Sequence, residues 1–165
     1  MGVLPLLVSL LAVSGAEAQE IGTERTLGLG IQLGSPTGIS GKYYFMGPEH
    51  AVSAAIATEF IGFADDRLTL YATYLYHPLV LASGTVAELP LFVGIGPQFW
   101  TSDLGDDFGD DFDDDAAFGA RIPVGFDVNL RELPLQFSGE IAGLLPFIPE
   151  IDFSIDLSVA ARYYF

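Results

Sequence analysis

Residues 153–165 alternate strictly between two kinds of side chain, and this alternation restricts the fold more than any other feature of the sequence. One face is apolar, with Phe153, Ile155, Leu157, Val159, Ala161, Tyr163 and Phe165. The other face carries Ser154, Asp156, Ser158, Ala160, Arg162 and Tyr164. Because successive side chains of a β-strand point to opposite faces, the pattern predicts one strand. The strand is long enough to cross a bilayer, which takes ~9–11 tilted residues.

The same period of two recurs along the chain, in segments bounded by Gly, Pro, Asp or Asn. The eight segments are Thr26–Leu33, Gly38–Phe45, Ala51–Phe60, Leu68–His77, Leu89–Trp100, Ala117–Asn129, Pro134–Leu144 and Phe153–Phe165. The connection Pro78–Glu88 is long for a turn, and it either holds a short helix or extends the flanking strands. We therefore predict an all-β fold, an eight-stranded antiparallel up-and-down barrel.

Aromatic residues indicate which face of this barrel points outwards. In a soluble barrel the apolar face points inwards, whereas in a membrane barrel it faces lipid. Rings lie near the segment ends on or near the apolar face, as in the aromatic girdles of membrane barrels: Tyr43, Phe45, Tyr74, Tyr76, Phe99, Tyr163 and Phe165. We predict a transmembrane barrel with both termini in the periplasm, so that the long loop between the fifth and sixth segments lies outside the cell.

The N-terminal region predicts export. Its apolar run from Val3 to Val13 is shorter than the ~20 residues of a membrane helix, and Ala16-Glu17-Ala18 has the small-x-small pattern of a cleavage site. We predict a signal peptide over residues 1–18 and an outer-membrane barrel over residues 19–165. The absence of Lys and Arg from residues 1–20 departs from the usual basic start of a signal peptide.

The net charge of −16 argues against a nucleic-acid partner, because phosphate binding needs clustered Lys and Arg and the six present are scattered. The chain has no Cys, which suits a closed barrel in the cell envelope because such a barrel needs no disulfide.

Charged residues on the polar face form the first candidate site. They are Lys42, Glu59, Arg121, Asp127, Glu140, Asp156 and Arg162. The interior of an eight-stranded barrel is just wide enough for side chains to fill, and buried charges must be paired or hydrated. We predict a lumen charge network that fills and stabilises the barrel. The alternative is that the same residues line a narrow path for ions or a small solute.

An acidic loop is the second candidate site. It contains Asp103, Asp106, Asp107, Asp110, Asp111, Asp113, Asp114 and Asp115. Like charges at this density favour a solvated loop, and the spacing differs from that of a calcium-binding loop, so no defined metal site is predicted. The functional alternative is weak binding of divalent cations near lipopolysaccharide, or of a surface partner.

Catalysis is not predicted, and neither is a cofactor. The two histidines, His50 and His77, lie near segment ends, where we interpret both as interfacial residues. His50 and Ser53 point to opposite faces of a strand, and His77 has no Ser or carboxylate nearby on its own face.

The segments LGLGIQLGSPTGISGKYYF, YATYLYH, LPLFVGIGPQFW, ARIPVGFDVNL and FSIDLSVAARYYF together resemble a family of small, uncharacterised outer-membrane barrels. The likeness runs from about Thr26 to Phe165, with GSPTGISGKYYF and RIPVG as its most specific parts, and the architecture is similar to that of OmpX-type barrels. The resemblance implies a Gram-negative outer membrane and a role as an adhesin or narrow porin, with no catalytic residues. The end of the chain resembles the signal that the barrel-assembly machinery reads, which implies that role for Tyr163 and Phe165.

These observations leave three possible functions. The first is a structural or surface-interaction barrel whose acidic loop contacts ions, lipopolysaccharide or another protein. The second is a narrow pore for ions or small solutes. The third is a soluble barrel that binds an apolar ligand.

Overall fold

The computed structural model describes residues 20–58, 68–101, 116–148 and 153–165. Within them it contains eight strands: β1 (Leu27–Gly34), β2 (Thr37–Tyr44), β3 (His50–Thr58), β4 (Leu68–Ser83), β5 (Ala87–Thr101), β6 (Ala116–Leu130), β7 (Leu135–Ile148) and β8 (Ser154–Tyr164). The described residues contain no helix long and apolar enough to cross a membrane. The predicted signal peptide, residues 1–18, lies outside them.

The strands form one closed barrel in which each pairs antiparallel with its sequence neighbours. Pairing of β1 with β8 closes the ring, from Gly28 opposite Tyr164 to Gly34 opposite Ser158. The predicted eight-stranded antiparallel up-and-down barrel is therefore confirmed. We call the end with residues 45–49, 84–86 and 131–134 the turn end, and the end with the β1–β2, β3–β4, β5–β6 and β7–β8 connections the loop end.

The polarity of the barrel is inverted relative to that of a soluble protein. Large apolar side chains point outwards on every strand, and Ile39 and Leu157 are 70% and 64% exposed. Charged side chains point inwards, and Lys42 and Arg121 are each only 1% exposed. The strand alternation thus creates an apolar outer wall around a polar interior.

The long connection Pro78–Glu88 extends the flanking strands, which is one of the two predicted outcomes. β4 continues to Ser83 and β5 begins at Ala87, so only residues 84–86 connect them. The β4–β5 register is irregular between Tyr76 and Leu79. Pro78 has no backbone N–H to donate, and an irregularity of this kind is where a strand accepts proline.

The turn end is closed by the segment that precedes β1. Ile21 is 6% exposed and belongs to a buried cluster with Tyr44, Ala51, Leu75, Phe92 and Tyr164. Arg25 holds the segment in place, since its guanidinium donates a hydrogen bond to the backbone carbonyl of Tyr164 over 3.0 Å. An apolar plug therefore lies across this mouth of the barrel.

Inward-facing glycines allow neighbouring strands to approach closely. A Cβ atom at Gly96 of β5 would collide with the carbonyl oxygen of Ala72 and lie 2.6 Å from the Cα atom of Thr73, both on β4. Gly30 of β1 meets the backbone of β8 in the same way, at Ala161. Any larger residue at these two positions requires the backbone to move.

Candidate functional site: the polar interior

Asp127 of β6 is the centre of the polar interior towards the turn end. Its Oδ2 atom lies 2.5 Å from Nζ of Lys42 and 3.1 Å from Nε2 of His77. Its Oδ1 atom accepts a hydrogen bond of 2.7 Å from the hydroxyl of Ser138. These partners come from β2, β4 and β7, so one carboxylate joins strands on different sides of the ring. We call this group the Asp127 layer.

Arg162 of β8 continues the Asp127 layer. Its Nη1 atom donates to the Ser138 hydroxyl over 2.7 Å, and its Nε atom donates to the Ser40 hydroxyl over 3.2 Å. Ser138 therefore accepts from a cation and donates to an anion, and so links Arg162 to Asp127. Asp127, Ser138 and Arg162 are all buried, and these hydrogen bonds give their polar atoms the partners that buried polar groups require.

Neutral side chains extend the network towards the turn end. The amide nitrogen of Gln136 donates to the Tyr44 hydroxyl over 3.1 Å and to the amide oxygen of Asn129 over 2.8 Å. The Tyr164 hydroxyl donates to the amide oxygen of Gln136 over 3.0 Å. Tyr44 and Tyr164 belong to the same buried cluster as Ile21, so the network is continuous with the closed turn end.

Arg121 of β6 is the centre of a second group, nearer the loop end. Its Nη2 atom lies 2.5 Å from a carboxylate oxygen of Glu140, and its Nη1 atom lies 3.5 Å from one of Asp156. The guanidinium lies over the ring of Tyr71, 4.6 Å from the centroid, in cation–π geometry. The hydroxyls of Ser158 and Ser35 donate to Glu140 and Asp156, over 3.0 and 3.1 Å. We call this group the Arg121 layer.

Polar atoms without a protein partner lie on the β4–β5 side of the interior. They are the hydroxyls of Thr69 and Thr73 and both amide atoms of Gln98, and each residue is 1% exposed. The Arg121 Nε atom is unpartnered as well. Buried polar groups require hydrogen bonds, and these atoms provide sites for internal water.

The structure thus brings six of the seven inward charges together in the two layers. Lys42, Asp127 and Arg162 belong to the Asp127 layer, and Arg121, Glu140 and Asp156 belong to the Arg121 layer. Among the described interior residues these three cations face three anions, so their formal charges cancel. Glu59 and all eight aspartates of the acidic loop lie outside the described residues.

The interpretation of His77 as an interfacial residue is wrong, because it points into the lumen and is 5% exposed. β4 has Tyr on both faces, so its alternation did not reveal which face points inwards. The carboxylate partner of His77 is Asp127 of β6, which lies on another strand rather than near His77 on β4. His50 does lie outside, 2.6 Å from the Tyr74 hydroxyl and beside the rings of Phe45 and Tyr76.

The predicted charge network did not contain the neutral members of the observed one. Gln32, whose amide oxygen accepts a hydrogen bond from the Tyr71 hydroxyl, is one of them. It occupies an inward position of the period-two pattern together with Ser40, Asn129, Gln136 and Ser138, and that phase is the signal by which they could have been found. Within the described part of the chain, no group of three or more His, Cys, Asp or Glu side chains is placed to hold a metal ion.

No family model and no curated protein matches the chain. Two solved structures share its fold. The N-terminal β-barrel domain of Pseudomonas aeruginosa OprF has a TM-score of 0.61 and 11% identity, over 84% of this chain and 95% of that one. Neisserial surface protein A (NspA) has a TM-score of 0.50 and 14% identity, over 84% of this chain and 93% of that one. At these identities the likeness extends to the fold alone.

Proposed function

We propose that the chain is a small outer-membrane barrel with a structural or surface-interaction role, which it performs through its outer loops. The supporting observation is the inverted polarity, with an apolar wall outside and a polar network inside. Soluble monomers rarely expose contiguous apolar patches above a few hundred Å². Here the apolar wall includes every strand, and lipid is the solvent that suits it. The two similar solved barrels belong to outer-membrane proteins, which supports the same location.

The aromatic side chains support a transmembrane orientation. Tyr43, Phe45, Tyr163 and Phe165 are all exposed at the turn end, and Phe118, Phe147 and Phe153 are exposed towards the loop end. Rings at two levels of an apolar wall correspond to the two interfaces of a bilayer. The C-terminal strand of this wall also carries the proposed assembly signal, Tyr163 and Phe165.

The filled interior supports a non-conducting barrel. The Lys42–Asp127 ion pair crosses the lumen in the Asp127 layer, and in the Arg121 layer the guanidinium of Arg121 on β6 extends over the ring of Tyr71 on β4. The Ile21 plug lies across the turn end. One observation favours the second candidate, a narrow pore: the unpartnered atoms of Thr69, Thr73 and Gln98 are suited to water in the interior. The Asp127 layer and the plug lie between these atoms and the turn end, so the closed barrel remains the better account.

The geometry gives less support to a soluble barrel that binds an apolar ligand. Two apolar grooves, of about 500 and 290 Å³, are lined mainly by outward-facing residues such as Ile39, Ile56, Phe126 and Val159. The described interior is polar, whereas a soluble apolar-ligand barrel needs an apolar lumen.

Cell fractionation followed by gel electrophoresis with and without boiling tests the membrane location. We expect the protein in the outer-membrane fraction, with faster migration before boiling because a closed barrel resists detergent. Recovery in a soluble fraction without detergent would contradict the proposal.

Replacement of Asp110, Asp111, Asp113 and Asp114 by Asn tests the role of the acidic loop. We expect weaker calorimetric binding of Ca²⁺ or Mg²⁺ by the refolded barrel in micelles, because carboxylates are the ligands that these ions prefer. Equal cation binding by wild type and variant would remove the loop from the proposed function. The folded fraction on gels is the control for correct assembly.

A further inference from the structure

The outer apolar wall differs in height around the barrel. On β8 the outward apolar positions run from Phe153 to Phe165, whereas on β1 they run only from Leu27 to Leu33. At ~3.3 Å per residue and a strand tilt of ~35–45°, the first run covers roughly 30 Å of the barrel axis and the second roughly 15 Å. The wall is thus about half as tall at β1 as at β8.

The missing height is at the loop end. At the turn end the two strands finish together, because Gly28 pairs with Tyr164 and the Phe165 backbone N–H donates to the Leu27 carbonyl over 2.9 Å. At the loop end Gly34 pairs with Ser158, and β8 then continues to Ser154 without a partner on β1. β2 begins at Thr37, so the β1–β2 hairpin forms a low rim in the wall.

The residues of this rim are polar. The Thr37 hydroxyl donates to the Gly34 carbonyl over 2.8 Å and lies 3.1 Å from the Gly34 backbone nitrogen. The Ser35 hydroxyl donates to Asp156. Irregular backbone exposed to lipid does not occur within the hydrocarbon region, so a turn of this kind belongs at the level of the headgroups.

A tilt of the whole barrel does not bring the two sides to one height. On the far side of the ring, β5 and β6 each have 15 residues, against eight in β1 and eight in β2. The far wall is taller towards both ends, so the two sides differ in height and not only in level. A bilayer of uniform thickness matched to one side is mismatched to the other.

We propose, on the basis of the proposed membrane location, that the bilayer is locally thinned where the β1–β2 hairpin meets its outer leaflet. Lipid headgroups descend there to the level of Ser35 and Thr37. The apolar band of outer-membrane barrels is ~25 Å high, so this level is roughly 10 Å below that of the headgroups beside the taller strands. The short apolar wall at β1 and β2 matches short or disordered lipid chains. The low rim is where the outer leaflet is most easily perturbed.

Two spin labels at nearly the same height test this inference. Because the chain has no native Cys, Leu33→Cys and Ile122→Cys each give a single labelling site. Both residues are outward and similarly exposed, at 48% and 42%. The strand pairings through β8 and β7, with allowance for strand tilt, place them at similar heights on β1 and β6. In dioleoyl-phosphatidylcholine vesicles, collision with a water-soluble nickel reagent relative to oxygen measures the depth of each label.

We expect the ratio of nickel collision to oxygen collision to be several-fold higher at residue 33 than at residue 122. The difference between the two sites should be smaller in thin dilauroyl-phosphatidylcholine bilayers. Equal ratios at both sites would show a flat bilayer and overturn the thinning while leaving the membrane location intact. Exclusion of both reagents at residue 33 would show that protein covers the low rim, and would also overturn it. Water-like ratios at both sites would instead refute the membrane location.

Discussion

Nζ of Lys42 on β2 lies 2.5 Å from Oδ2 of Asp127 on β6, and the two strands are on opposite sides of the eight-stranded ring. The ion pair therefore spans the lumen and connects strands that share no backbone hydrogen bonds. Both side chains are buried, at 1% and 0% exposed. This pair links the filling of the interior to the stability of the barrel.

We predict that Asp127→Asn destabilises the barrel by about 3 kcal/mol, because removal of one partner leaves Lys42 as an uncompensated buried charge. Unfolding in urea from lipid vesicles measures the change. A double variant, Lys42→Met with Asp127→Asn, should recover part of the loss, and the double-mutant cycle isolates the pairwise energy. A coupling energy near zero would show that the pair does not stabilise the fold.

The orientation of the wall predicts that a polar substitution is costly at an outward residue of β8 and tolerated at the adjacent inward residue. Val159 is outward and 56% exposed, whereas Ser158 points inwards at 3%. Val159→Arg should cost ~2–4 kcal/mol in a bilayer, because it places a charge in lipid near the midplane. Val159→Leu is the control for shape and Ser158→Asn the control for the inward face. If Val159→Arg is no more destabilising than these controls, the outer wall does not face lipid.

Close packing of the strands predicts a contrast between two glycines. Gly96→Ala should cost ~1–3 kcal/mol, because its Cβ atom would meet the rigid backbone of Ala72 and Thr73. Gly41→Ala should be nearly neutral, since its nearest neighbour is the flexible end of Leu29 at 3.2 Å. Urea unfolding of both variants gives the comparison. Equal effects would mean that the close approach at Gly96 is not required.

The proposed assembly signal predicts a defect in cells rather than in vitro. Phe165 is 65% exposed and its ring packs edge-on against that of Tyr163, so Phe165→Ala should refold in detergent with stability close to that of the wild type. Its level at the cell surface should nevertheless fall several-fold. Phe153→Ala, which removes a similarly exposed ring at the other end of β8, is the matched control. Equal surface levels for the two variants would refute a role specific to Phe165.

The fold could be predicted from the sequence because each strand of a barrel is marked by a local signal, the alternation of apolar and polar residues. The alternation in β8 identified its two faces, and the structure places Ile155 and Leu157 outside and Asp156 and Ser158 inside. The extent of β4 was underestimated because Pro78 resembles a strand end, although an irregular register accommodates it. Strand existence follows from short-range patterns, whereas strand length also depends on the neighbouring strand.

The interior could be predicted only in part. Alternation indicates that Lys42 and Asp127 point inwards, but their contact depends on the registers of all the strands between β2 and β6. The contact of His77 with Asp127 was missed for the same reason. Partners that meet across a lumen leave no spacing pattern in the sequence, since their separation along the chain is set by the lengths of unrelated loops.

Single-channel recording in planar bilayers tests the central claim, a transmembrane barrel closed by its own side chains, most directly. We predict stable insertion with no current steps from the wild type, because the Asp127 layer, the Arg121 layer and the Ile21 plug fill the lumen. An Arg121→Ala variant, which opens one layer, should show at most small and brief steps. Steady, ion-selective conductance from the wild type would contradict the closed barrel and identify the same inward charges as the lining of a pore.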